Sequence, residues 1–86
     1  MYELFLTREA QQFYEKADAV LARKLNRCFR YLQSDPYEHP NIKRLKGSLD
    51  GYFRYRVSDW RVVYQVHEQE QSVVVMLIAH RSEVYR

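Results

Sequence analysis

The chain has one cysteine, two glycines, two prolines and no long run of apolar residues. With Cys28 alone, these 86 residues cannot form an internal disulfide or a metal site built from several thiolates. His39 and His67 have no Cys or His at metal-ligand spacing, so no metal site is predicted. No segment is apolar enough to span a membrane, and residues 1–9 lack a basic segment followed by an apolar one. We therefore expect a cytoplasmic protein with no membrane partner.

The length of the chain and its charge distribution indicate the number of domains and the kind of binding partner. A chain of 86 residues is enough for one small domain, so residues 1–86 are predicted to form a single unit. Residues 42–61 contain six Lys or Arg and two Asp, a net charge of +4, whereas the other 66 residues carry −1. A local basic patch on a nearly neutral body favours a polyanionic partner, either nucleic acid or an acidic protein segment.

Periodicity predicts an α+β domain in the order β-α-α-β-β-β, with two N-terminal helices packed on one face of a mostly antiparallel four-stranded sheet. The predicted strands are residues 2–6, 52–57, 60–67 and 72–80. Thr7 can cap a first helix, and a second helix is predicted over 18–33 with Cys28 on its apolar stripe as a small core residue. Residues 37–51 are predicted to be a connecting loop.

Residues 54–61, Arg-Tyr-Arg-Val-Ser-Asp-Trp-Arg, predict a tight hairpin. A turn at 58–59 places Arg56 directly opposite Arg61, and period two puts Arg54 on the same face. Like charges directly opposite each other weaken a strand pair, so an anion such as phosphate is expected to bind there. The alternative is a solvated polar face neutralised by nearby acids, but Asp50 and Asp59 are too few for three arginines.

The register of the last three strands predicts which other side chains share a face. With the second turn centred on 69–70, His80 lies on the arginine face. The face predicted to lie under the helices comprises Phe53, Tyr55, Val57, Trp60, Val62, Tyr64, Val66, Val73, Val75, Leu77 and Ala79. The opposite face comprises Arg54, Arg56, Arg61, Val63, Gln65, Val74, Met76, Ile78 and His80.

Other candidate residues lie outside the predicted strands. Lys43, Arg44 and Lys46 are expected to bind phosphates of an RNA backbone without reading sequence. Arg81 and Tyr85 follow the last strand, where the pattern gives no direction for them. Tyr85 can pack on the domain edge or stack on a base.

Four segments occur in a distinctive order: Leu45-Lys46-Gly47, residues 51–57 (Gly-Tyr-Phe-Arg-Tyr-Arg-Val), residues 60–64 (Trp-Arg-Val-Val-Tyr) and residues 80–85 (His-Arg-Ser-Glu-Val-Tyr). Together they resemble the RelE/ParE toxin superfamily of type II toxin–antitoxin systems, on the RelE side. Any one segment is weak evidence, but the whole set in a chain this short is specific. The resemblance covers essentially the whole sequence.

The resemblance implies a toxin held in a tight complex, a heterotetramer or larger, by a cognate antitoxin protein. RelE-like members cleave mRNA in the ribosomal A site and so inhibit translation, with no metal ion or other cofactor. In that reaction the 2′-hydroxyl attacks the adjacent phosphate, giving a 2′,3′-cyclic phosphate and a 5′-hydroxyl. The implied partners are the antitoxin, the ribosome and mRNA. The implied catalytic residues are Arg54, Arg56, Arg61, Arg81 and Tyr85.

Positions 54 and 56 depart from RelE, which has lysines there. An arginine, with a pKa above about 12, is a poor general base, so these arginines are expected to stabilise charge. His80 is then the predicted group that moves the proton, because imidazole titrates near neutrality. Arg61 is expected to be exposed, so that its mutation reduces activity with little loss of stability. Two alternatives remain open, a ParE-like toxin that binds DNA gyrase without cleaving RNA and an inactive toxin.

Overall fold

The computed structural model describes residues 1–84, and its helices and strands follow the predicted order with three short additions. In chain order they are β1 (Glu3–Leu6), α1 (Arg8–Lys16), α2 (Ala19–Ser34), β2 (Ile42–Arg44), β3 (Phe53–Val57), β4 (Trp60–His67), β5 (Ser72–His80) and α3 (Arg81–Val84). A single 3₁₀ turn, Gly47–Leu49, lies between β2 and β3. The additions are β2, this turn and α3. None of the helices in residues 1–84 has the length and the apolar composition of a membrane-spanning segment.

The five strands form one sheet in the order β1-β5-β4-β3-β2. β1 runs parallel to β5 and the other neighbouring pairs are antiparallel, which confirms the predicted α+β class with a mostly antiparallel sheet. The predicted number of strands was wrong, because part of the predicted loop 37–51 pairs with β3 as β2. A three-residue strand of sequence Ile-Lys-Arg is too short for an alternating pattern to show.

Capping side chains define where the two main helices begin. The Thr7 hydroxyl accepts a hydrogen bond from the Ala10 N–H at 3.3 Å, and the Asp18 carboxylate accepts one from the Leu21 N–H at 2.8 Å. Pro36 follows the end of α2 by two residues, since proline cannot continue the helix. The buried stripe of α2 comprises Leu25, Cys28, Phe29 and Leu32.

The face of the sheet that packs against α2 forms the core, and we call it the helix face. Its buried members are Phe53, Tyr55, Val57, Val62, Tyr64, Val73, Val75 and Ile78. The Tyr64 hydroxyl donates a hydrogen bond to the Pro36 carbonyl at 2.7 Å, so this buried polar group is satisfied. Cys28 is 1% exposed in the same core, as predicted, and burial raises the pKa of its thiol. A thiol held protonated behaves as a small apolar residue.

A β-bulge interrupts the pairing of β4 with β5. Tyr64 pairs with Val75 and Val63 pairs with Leu77, so Met76 is the extra residue. An extra residue in one strand exchanges the faces of every residue beyond it. Met76, predicted on the arginine face, is instead the bulged residue.

The residues of β5 beyond the bulge lie on the faces opposite to those predicted. Ile78 pairs with Val62 and is buried in the core, whereas Leu77 and Ala79 lie on the other side of the sheet. These face assignments were wrong, while those of β3, β4 and the first half of β5 are confirmed. We call the side opposite the helix face the open face. It carries Lys43, Arg54, Arg56, Arg61, Val63, Gln65, Val74, Leu77 and Ala79.

Candidate functional site

The β3–β4 hairpin has the predicted register. Ser58 and Asp59 form the turn, and Ser58 has a positive φ of 55°. Arg56 lies directly opposite Arg61, and Arg54 is two residues earlier on the same face. The structure therefore brings the three predicted arginines to one end of the open face.

β2 brings a fourth cation to this face. Lys43 pairs with Arg54 and is exposed. Arg44 pairs instead with Phe53 on the helix face, where its Cζ lies 5.1 Å from the ring centroid, a distance typical of a cation–π contact. Lys46 is exposed just before the 3₁₀ turn. The predicted basic patch is thus divided between two faces, and Lys43 is the member that joins the arginines.

Arg54 and Arg56 differ in how freely they can meet a ligand. The Arg54 side chain is half-buried, and its Nη1 donates a hydrogen bond to the Asn41 carbonyl. The Arg56 side chain is exposed. Arg56 is therefore the arginine of this row with the most open access to an anion.

Arg61 is only 8% exposed, so the expectation that it is exposed was wrong. Its Nη1 donates hydrogen bonds to the carbonyls of Ser58 at 3.2 Å and of Trp60 at 3.1 Å. Hydrogen bonds from a charged donor are stronger than neutral ones. Arg61 thus clamps the hairpin turn and fixes the strand that presents Arg56.

His80 lies on the helix face, so the prediction that it shares the arginine face was wrong. It pairs with Trp60, and the two ring centroids are 5.5 Å apart with the planes nearly perpendicular. Its Nδ1 accepts a hydrogen bond from the Ser82 N–H at 3.3 Å. The bulge at Met76 causes the exchange of faces, and the sheet separates the imidazole from Arg56.

The segment after β5 turns back towards the hairpin. The Arg81 backbone N–H donates a hydrogen bond to the Asp59 carbonyl at 2.9 Å, and α3 contacts both β4 and β5. The Arg81 side chain is exposed, so the structure places another cation beside the hairpin turn. Tyr85, the other predicted site residue of this segment, lies outside the described residues.

An apolar groove of about 260 Å³ lies on the open face, and two of its lining residues pair with arginines of that face. Its floor includes Val63, which pairs with Arg54, and Ala79, which pairs with Arg61. Sequence analysis missed this groove, because the bulge that brings Leu77 and Ala79 to the open face cannot be detected within the continuous apolar sequence of β5. The lining residues are Glu9, Leu49, Tyr52, Val63, Leu77, Ala79 and Glu83.

The groove and the cations offer two complementary surfaces. Apolar and aromatic side chains can hold the face of a nucleobase, while arginine forks match the geometry of a phosphate. Glu9 and Glu83 add two carboxylates to the lining. Across residues 1–84, no group of three or more His, Cys, Asp or Glu side chains is arranged to hold a metal ion.

Comparison with known proteins finds similarity to toxins of type II toxin–antitoxin systems over almost the full length of the chain. Residues 4–85 match the sequence model of a family described as the ParE toxin of the type II toxin–antitoxin system parDE. The chain is also 26% identical over 82 residues to Toxin RelG of Mycobacterium tuberculosis, and the alignment covers 95% of this chain and 92% of that protein.

Two solved structures are similar over nearly their full length. The YoeB/ParE toxin from Agrobacterium tumefaciens is 26% identical, with a TM-score of 0.81 and coverage of 91% of this chain and 96% of that chain. A chain of the toxin–antitoxin complex RelBE2 from Mycobacterium tuberculosis is also 26% identical, with a TM-score of 0.78 and coverage of 94% and 92%.

Proposed function

The chain belongs to the ParE toxin family of type II toxin–antitoxin systems, and on that premise we propose that it is a ribosome-dependent endoribonuclease that cleaves mRNA in the A site and so inhibits translation. The observation that carries the proposal is the apolar groove of the open face, in which Val63 and Ala79 pair with Arg54 and Arg61, on the same face as the exposed Arg56. A nucleotide needs such surfaces side by side, one for its base and one for its phosphate. The RelE-type names of RelG and of the RelBE2 complex, both from Mycobacterium tuberculosis, support RNA cleavage over gyrase binding.

The proposed reaction is an attack by the 2′-hydroxyl of a nucleotide on its adjacent phosphate. An O2′–P bond forms and the P–O5′ bond breaks, giving a 2′,3′-cyclic phosphate and a 5′-hydroxyl. Negative charge develops on the non-bridging oxygens in the transition state, and preorganised cations stabilise it. Arg56 supplies that charge, with Arg54 and Lys43 beside it on the open face. Arg61 contributes as a positioning residue, through the hairpin turn that it clamps.

The proton of the 2′-hydroxyl needs an acceptor on the same face. His80 lies on the other side of the sheet, whereas Glu9 and Glu83 line the groove itself. We assign the acceptor to one of these two carboxylates, which are ordinary general bases in enzymes. The leaving 5′-oxygen takes its proton from water.

The segment after β5 is assigned to substrate binding. The exposed Arg81 side chain, beside the hairpin turn, binds a flanking phosphate. Tyr85, outside the described residues, stacks on a base, as aromatic side chains commonly do on single-stranded RNA.

A cognate antitoxin is the proposed regulatory partner. The similar RelBE2 chain belongs to a toxin–antitoxin complex. An acidic antitoxin segment laid along the groove would pair with Lys43 and Arg56 and exclude RNA from the same surface. Inhibition would then follow from occupation of the site.

Primer extension on a defined mRNA in a purified translation reaction tests the cleavage. We expect new cuts within A-site codons when the protein is added, and roughly a hundredfold lower yield with Arg56→Gln, which removes a charge from the transition state. Arg8→Gln is the matched control, because it removes an exposed charge from α1, and it should cut normally. Glu9→Gln and Glu83→Gln in the same assay identify the proton acceptor.

Circular dichroism of each variant separates loss of chemistry from loss of fold. An intact message in the presence of the natural protein would overturn the proposed nuclease. Normal cutting by Arg56→Gln would show that the reaction takes place away from the open face.

A further inference from the structure

A second cationic surface lies at the hairpin end of β3, at and beyond the last residue that pairs with β2, where β3 faces α2. A cavity of about 170 Å³ opens there, which we call the edge cavity. It is lined by Lys24, Arg27, Cys28, Asn41, Tyr55, Arg56, Val57 and Ser58, three cations with no acidic residue among them. Neither Lys24 nor Arg27 belongs to the open face.

Hydrogen bonds fix the polar groups of the edge cavity. The Lys24 Nζ donates to the Ser58 hydroxyl at 3.1 Å, which ties α2 to the hairpin turn. The Asn41 side-chain amide donates to the Arg56 carbonyl at 3.1 Å, and the Arg56 N–H donates to the Asn41 carbonyl at 2.9 Å. Arg27 is three residues from Lys24 on α2 and therefore lies on the same side of the helix. The cavity is thus preorganised before any ligand arrives.

α2 maintains this cationic surface at a cost to its own stability. The helix contains Arg23, Lys24, Arg27 and Arg30, all exposed, and no acidic residue. Arg23 and Arg27 are four residues apart, and Arg27 and Arg30 three apart, spacings at which like charges destabilise a helix. A surface that serves solubility alone mixes both signs of charge, so this one indicates a polyanionic ligand.

We propose that the edge cavity binds a backbone phosphate of RNA. This inference rests on the proposed function and deepens it, since Arg56 borders both the open face and the edge cavity and so gives RNA a continuous cationic path around the hairpin turn. Lys24, Arg27 and the Asn41 amide supply donors that match phosphate oxygens. The cavity is too small to seat a peptide helix, which favours a phosphate over an acidic protein segment.

The test measures binding apart from cleavage. A single-stranded 2′-O-methyl RNA has no free 2′-hydroxyl to attack, and 70S ribosomes without message offer ribosomal RNA but no mRNA. The variant Lys24→Gln/Arg27→Gln is compared with Arg8→Gln/Lys16→Gln, which removes the same charge from exposed positions on α1. We expect Lys24→Gln/Arg27→Gln to bind at least one of the two ligands, the oligonucleotide or the ribosome, roughly tenfold more weakly than the natural protein does. Its salt dependence, the slope of log K against log salt, should fall by about 0.7 for each phosphate that the variant no longer neutralises.

The two arms identify the source of the phosphate. Weaker binding of the oligonucleotide assigns it to the message strand, and weaker binding of ribosomes alone assigns it to ribosomal RNA. Unchanged binding in both arms, or equal losses by the control pair, would overturn the proposal. So would an equal loss of affinity for a polyglutamate peptide, which would make the cavity a site for acidic protein. Neither arm depends on cleavage, so a failed nuclease assay and a failed cavity assay are distinguishable.

Discussion

Arg56 and Arg61 form a pair of like charges directly opposite each other on β3 and β4, and although both lie on the open face, the Arg61 side chain is buried and the Arg56 side chain is exposed. The Arg61 guanidinium is buried against the carbonyls of Ser58 and Trp60, while Arg56 extends into solvent. The buried charge is compensated by backbone dipoles, and the exposed charge is hydrated until a ligand binds. Two residues of the same type therefore have different functions, one in stability and one in binding.

Replacing Arg61 by alanine should lower the free energy of unfolding by about 2 kcal/mol, since the carbonyls of Ser58 and Trp60 lose a charged donor. Arg56→Ala, at an exposed position, should change it by less than about 0.5 kcal/mol. Urea denaturation measures both free energies of unfolding, provided that the dependence on urea concentration (the m-value) is the same for the two variants. Equal midpoints for the two variants would show that Arg61 does not clamp the turn. Arg61→Ala is accordingly a poor probe of chemistry, because it alters the scaffold as well.

The sequence predicts the common face of Arg54, Arg56 and Arg61 because side-chain direction in a strand follows from period two alone. It does not predict that Arg61 is buried, since that depends on where the carbonyls of the turn point. The prediction of the face on which His80 lies failed for a different reason. One inserted residue upstream exchanges its face, and period two cannot detect the insertion.

At the level of helices and strands, Thr7 joins three features of the fold. Its hydroxyl donates a hydrogen bond to the Met76 carbonyl at 2.7 Å and accepts one from the Ala10 N–H at 3.3 Å. Its own N–H donates to the Val75 carbonyl at 3.0 Å. A bulge leaves a carbonyl outside the ladder, and here the residue that caps α1 satisfies that carbonyl. The start of α1 is thereby fixed to the bulge of β5.

Thr7→Val keeps the shape of the side chain but removes both hydroxyl hydrogen bonds, and it should destabilise the protein by about 1–2 kcal/mol. Thr7→Ser retains the hydroxyl and should stay within about 0.5 kcal/mol of the natural protein. The comparison is made by urea denaturation. If serine were as destabilising as valine, the methyl group rather than the hydroxyl would be the important part of Thr7.

The order of the main helices and strands is predictable because each has a clear period and a clear end. The stripe of α2 ends before Pro36, and the hairpin strands alternate regularly around residues 58–59. β2 was missed since three residues give no alternation. The bulge was missed since Val73–Ile78 is apolar at every position, so either register buries apolar side chains.

Over the whole molecule, one end of β4 belongs to the proposed binding surface and the other end to a hydrogen-bond network that stabilises the fold. The arginine end begins at the hairpin turn, and the other end runs into Glu68, roughly 25 Å away at about 3.3 Å per residue over eight residues. The Glu68 carboxylate accepts hydrogen bonds from Tyr37 at 2.6 Å, Tyr2 at 2.9 Å and the Gln71 side chain at 2.7 Å. One carboxylate thus joins the N-terminal segment, the loop after α2 and the β4–β5 turn.

Glu68 should make the stability of the protein depend on acidic pH without affecting activity. Hydrogen bonds from Tyr37, and then from Tyr2 and Gln71, hold the pKa of Glu68 below its usual value of 4.5. A carboxyl with a lowered pKa in the folded state contributes stability that is fully present above pH about 4.5 and is lost as pH falls through the lowered value. In Glu68→Gln this contribution is absent, so its urea midpoint should change less between pH 5 and pH 3 than that of the natural protein.

Glu70→Gln, in the same exposed turn, is the matched control and should keep the natural acid dependence. Parallel pH profiles for all three proteins would contradict the assignment, and loss of mRNA cleavage by Glu68→Gln would show that the two ends of β4 are coupled.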